Sequence, residues 1–82
     1  MRWRFDIAAL PLDRMLSRIL HVLEAQRVSI HSFAAQIGIV EMSVTFEISH
    51  TETKAGRIEA LLYRLEGIDL ISVSQVLEEV KT

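Results

Sequence analysis

The sequence predicts an α+β fold in the order β-α-β-β-α-β, a four-stranded antiparallel sheet with two helices on one face. Three observations predict it. Two stretches, Arg2 to Ala8 and Met42 to Ser49, alternate apolar and polar residues with the period of a half-buried strand. Two others, Leu12 to Leu23 and Ala55 to Leu65, repeat apolar residues at helical spacing. The segments that follow each helix are rich in β-branched residues and short enough to be strands. Such an order packs most economically in the ferredoxin-like arrangement, and right-handed crossovers put the first and third strands in the middle.

In the first strand Trp3, Phe5 and Ile7 share one face and Arg2, Arg4, Asp6 and Ala8 the other, and Pro11 closes it. The period then changes. Leu12, Met15, Leu16, Ile19, Leu20 and Leu23 span about 140° of a helical wheel, opposite Ser17, His21 and Glu24. Val28, Ile30 and Phe33 begin a second strand that reaches Ile37, with its phase across Ser32 unassigned. Gly38 marks a turn, and a hairpin leads into the third strand, where Met42, Val44, Phe46 and Ile48 alternate with polar residues without a violation. Ser49 and Glu52 have capping-box spacing, with Thr51 and Thr53 as alternative caps, so the second helix begins near here. Ala55, Ile58, Leu61, Leu62 and Leu65 form its apolar face, and Gly67 stands where a left-handed C′ residue would end it. Asp69 to Leu77 is the last strand, with Ile71 and Val73 inward, and the tail from Glu78 is expected to fray. The chain reads as one domain, residues 1–82, with its core between about residues 2 and 77.

Composition narrows the function. A domain of 82 residues buries only about 60 to 65% of the surface its unfolded chain exposes, so a partner surface would add needed stability. The chain has no Cys, which excludes disulfides and thiolate metal sites and makes a reducing compartment, the cytoplasm, the expectation. No apolar run is long enough to span a bilayer, and Asp6 follows Arg2 and Arg4 where a secretory signal would turn apolar. A net charge of −2 offers no basic field for phosphate backbones, so neither nucleic acid nor membrane is an expected partner.

The residues also discriminate among activities this fold hosts. A metal carrier would need paired soft ligands, and an RNA reader would need aromatics on the open sheet face, whereas Trp3, Phe5 and Phe46 are in phase with the buried set. An acylphosphatase-like hydrolase would need a Gly-rich phosphate loop; the loop here is Ala9-Leu10-Pro11-Leu12-Asp13-Arg14, and Arg14 alone does not make one. His21, His31 and His50 fall on a helix face, in a strand and at a strand end, so no metal site is expected. Glu41 and Glu47 read as a solvated face, Met15 and Met42 as packing, and Ser17, Ser29, Ser32 and Ser43 have no His-plus-acid partner at a suggestive spacing. No catalytic residue and no cofactor is assigned.

The run from Leu16 to Phe33 resembles the ACT domain, and within it the small regulatory subunit of acetolactate synthase in its short form. There the typical segment reads Asn-x-Pro-Gly-Val-Leu-x-Arg-Val, then an apolar helix, then Arg-Gly-Phe-Asn-Ile-x-Ser-Leu. Set in register without gaps, Leu16, Arg18, Ile19, Val22, Leu23, Val28, Ile30, Ser32 and Phe33 fall on identical or similar types. The resemblance implies a non-catalytic regulatory protein that pairs edge to edge into a homodimer. It also implies association with a thiamine-diphosphate-dependent catalytic large subunit, and an amino-acid effector held where the first loop and helix of one copy meet the second strand of the other.

Carried over residue by residue, that effector site comprises Pro11, Asp13, Arg14, Met15, Ser29 and Ile30. The departures concentrate here. Pro11 stands at the effector-contacting Asn, Asp13 at the Pro, Arg14 at the Gly, Arg27 at the second Gly and Ser29 at the second Asn. Two readings follow: the site is lost and the domain is purely structural and activating, or Asp13 and Arg14 recognise the ammonium and carboxylate of a different ligand. A free-standing amino-acid sensor for another client is the alternative function.

Overall fold

The computed structural model describes residues 1–49 and 52–77, apart from the side chains of Glu52 and Thr53. Its elements are β1 (Arg2–Ala9), α1 (Met15–Ala25), β2 (Ser29–Ile37), β3 (Met42–Ser49), α2 (Glu52–Tyr63) and β4 (Ile68–Val76). The sheet order is β2-β3-β1-β4 and every pairing is antiparallel, so β1 and β3 are central as expected.

Strict alternation puts Phe5, Ile7 and Ala9 of β1 and Met42, Val44, Phe46 and Ile48 of β3 on the helix-bearing face, all of them buried. Register makes the match: Phe5 lies opposite Phe46 and Ile7 opposite Val44. The Phe5 and Phe46 rings stack at 4.9 Å between centroids, and Phe33 of β2 stacks on the far side of Phe46 at 5.9 Å. Met15, Ile19 and Leu23 of α1 and Ala55, Ile58 and Leu62 of α2 close the core. Ile71 is buried and Val73 packs at its edge. The opposite face is polar. Thr45 donates to Asp6 at 2.9 Å, Arg4 pairs with Asp6 at 3.3 Å, and Arg2 approaches Glu47 at 3.9 Å.

Three local expectations are corrected, and one left open is resolved. Leu12 lies before α1 and is 40% exposed, because the chain turns at Asp13 and Arg14 before the helix starts at Met15. Gly67 does have φ +96, but α2 has already ended at Tyr63 through 3₁₀-type bonds, Arg64 N to Leu61 O and Leu65 N to Leu62 O. Gly67 instead shapes the turn into β4, accepting from the Leu10 amide, and a Cβ on it would come within 2.7 Å of a Leu12 methyl. Glu41 precedes β3, in the turn. The unassigned phase of the second strand is resolved by a bulge at His31: Ile30 faces Ile48 and Ser32 faces Glu47, which keeps Ile30 and Phe33 on one side. The expected caps at Thr51 and Thr53, the role of Glu52 in a capping box, His50 and the tail from Glu78 lie outside what is described.

Candidate functional site

The predicted site residues divide into two groups. Pro11, Arg14 and Met15 line a depression of about 270 Å³ at the start of α1, together with Leu12, Leu16, Ser17, Ile37 and Met42. Asp13 is exposed and outside that lining. Ser29 and Ile30 begin β2, whereas the depression adjoins its end at Ile37, so the two groups are separated by about 26 Å of strand at ~3.3 Å per residue. One protomer does not bring the six residues together. Sequence reasoning missed Ile37, whose place beside the loop depends on β2 pairing with β3 as far as Met42.

The loop has an unusual backbone. Arg14 has φ 65 and ψ 15 at the N-cap of α1, and no side chain caps this helix. Arg27, in the turn out of α1, has φ 55. These two are the non-glycine residues of positive φ among the described residues. A side chain in this conformation costs roughly 1–2 kcal/mol relative to glycine, which has no Cβ to crowd the following carbonyl. Both arginines stand where the gapless register of the resemblance places glycine. Arg27→Gly is therefore expected to raise stability by about 0.5–1 kcal/mol, after the greater unfolded-state freedom of glycine is subtracted, as read from the urea midpoint.

β2 and β4 are the sheet edges, and they differ. On β4 the Tyr63 hydroxyl accepts from the Ile71 amide at 2.9 Å and lies 3.4 Å from the Ile71 carbonyl, so a side chain of α2 occupies the outer backbone groups at mid-strand. Among the described residues nothing covers β2 in this way: eight of its nine residues are exposed and only Phe33 is half-buried. Ile30, Ala35 and Ile37, opposite the buried Ile48, Val44 and Met42, present an apolar strip on the helix-bearing side. An open, apolar edge of this length leaves backbone groups free to template pairing with another strand. Tyr63→Phe is expected to free the Ile71 groups, cost about 1 kcal/mol, and add assemblies larger than the parent protein forms in sedimentation velocity.

Among the described residues no three His, Asp or Glu side chains gather as metal ligands, and no helix is long and apolar enough to cross a membrane.

No family model and no curated protein matches the chain. Solved structures do. The ACT domain of GTP pyrophosphokinase from Chlorobium tepidum aligns at TM-score 0.82 and 11% identity, over 90% of this chain and 97% of that one. The regulatory subunit of aspartate kinase from Thermus thermophilus aligns at TM-score 0.68 and 10% identity, over 89% of this chain and 50% of that one. A formyltetrahydrofolate deformylase from Pseudomonas putida aligns at TM-score 0.76 and 13% identity, over 93% of this chain and 29% of that one. At such identities the likeness concerns architecture, and with the strand order β2-β3-β1-β4 it establishes that this chain has the ACT fold.

Proposed function

We propose that the chain is a non-catalytic regulatory subunit of the ACT type, paired edge to edge through β2, whose client is the catalytic subunit of an acetolactate synthase. The observation that carries this reading is the pair of left-handed arginines. The register that relates the chain to the small subunit of that enzyme puts family glycines on Arg14 and Arg27, and those are the residues whose backbone calls for glycine. A chance alignment of apolar residues has no reason to find them.

Pairing through β2 follows from the open edge. Antiparallel pairing of β2 with its copy across a two-fold axis brings the start of one strand alongside the end of the other. Ser29 and Ile30 of one protomer then reach the loop depression of its partner, and the divided site becomes one. Pairing also buries the strip of Ile30, Ala35 and Ile37, the added apolar area a small core needs.

The completed site is poorly suited to an amino acid. None of the residues lining the depression is acidic, Asp13 lies outside it, and neither Ser29 nor Ile30 supplies a carboxylate. Glu41 lines an adjoining depression that shares Ile37 and Met42, but within this one an α-ammonium group would lose water without a carboxylate, and Pro11 has no amide hydrogen to offer a carboxylate. The domain therefore activates by association and does not sense branched-chain amino acids. Titration calorimetry with the twenty common amino acids tests this. No micromolar binder is expected; one whose binding disappears in Arg14→Ala would overturn the reading and make the protein a sensor.

A further inference from the structure

A second depression, of about 400 Å³, lies along the outer side of α1 and is lined by Arg14, Ser17, Arg18, His21, Val22 and Leu65. Its composition is divided. Val22 and Leu65 are half-buried and pack against the core, forming an apolar floor, while Arg14, Arg18 and His21 are exposed around it. The chain carries eleven carboxylates against nine Lys and Arg, yet this groove holds two guanidinium groups and no carboxylate. Neither Arg14 nor Arg18 has an ion-pair partner among the described residues. The two like charges border one groove, Arg14 from the left-handed N-cap and Arg18 from the first turn of α1, and so repel. An anion between them would turn that repulsion into two charge-assisted contacts.

We infer that this groove binds a small organic anion, a phosphate or carboxylate head on an apolar body of a few carbons. The head sits between Arg14 and Arg18 with His21 and the Ser17 hydroxyl in reach as donors, and the body lies over Val22 and Leu65. The volume falls within the range of about 300–1,000 Å³ usual for small-molecule sites. This groove is distinct from the loop depression that ends at Ile37 and Met42, although Arg14 borders both. The inference does not depend on the client proposed above.

Hexyl phosphate, inorganic phosphate and hexanol, titrated into isotope-labelled protein and followed by NMR, form the test. Hexyl phosphate is expected to move the amides of Ser17, Arg18 and His21 and the methyls of Val22 and Leu65 in one saturable process, at least tenfold tighter than either fragment. Arg18→Gln should weaken it about tenfold with the thermal midpoint unchanged, since Arg18 is exposed and unpaired. Equal affinity for inorganic phosphate, shifts confined to Ile37 and Met42, or indifference to Arg18→Gln would overturn the inference. So would pelleting with phosphatidylglycerol vesicles without saturable binding of hexyl phosphate, which would mark a lipid-surface contact.

Discussion

Ala35→Lys is expected to leave the protomer folded and to abolish the proposed dimer. Ala35 is exposed in the protomer and lies opposite Val44 on the helix-bearing side of β2, so a lysine there extends into water when the chain is alone. Across the proposed two-fold pairing of β2 the same position is enclosed, and symmetry places two ammonium groups in one seam. Desolvating each costs several kcal/mol, so the dissociation constant should rise by more than about a hundredfold. Sedimentation velocity over the micromolar range reads this as loss of the dimer, with the circular dichroism of the folded protein retained. Ala35→Val, apolar and suited to a strand, should keep the dimer. A dimer that survives Ala35→Lys would remove β2 from the interface.

Phe46→Ala is expected to be strongly destabilising. Phe46 is fully buried at the middle of a central strand, with Phe5 stacked on one side at 4.9 Å and Phe33 on the other at 5.9 Å. Truncating such a ring costs about 3–5 kcal/mol through lost burial and the cavity left behind. At roughly 0.05–0.15 kcal/mol per residue, 82 residues hold about 4–12 kcal/mol in all, so the loss takes a large share of it. Phe33→Ala removes only the half-buried outer ring and should cost much less. Urea unfolding of both variants checks the order.

The central strands were legible because each has one buried face: the strict alternation of Met42 to Ile48 admits a single register, and the structure uses it. β2 was harder to read for a related reason. Almost nothing on it is buried, so neither face constrains the phase, and the bulge at His31 that realigns Ile30 and Phe33 leaves no mark in residue type. The start of α1 was misplaced because Leu12 continues the helical spacing while the backbone turns left-handed at Arg14. Gly67 was recognised as a left-handed residue, but its task is the contact with Leu10 and Leu12, which only the tertiary structure reveals. The candidate site was legible through likeness alone; its division between the two ends of β2 follows from topology. Tyr63, which covers the β4 edge, carries no sequence signal, since its partner is backbone.

Ala35→Lys and calorimetry probe the proposed dimer and site separately, whereas the proposed client tests them together. The most direct measurement is the rate of the acetolactate synthase catalytic subunit from the same source, with and without this protein, and with added valine, leucine or isoleucine. The account predicts co-purification and a rate increase that Ala35→Lys removes and the three amino acids leave unchanged. Failure to bind or stimulate that subunit, or stimulation that the amino acids reverse, would contradict it.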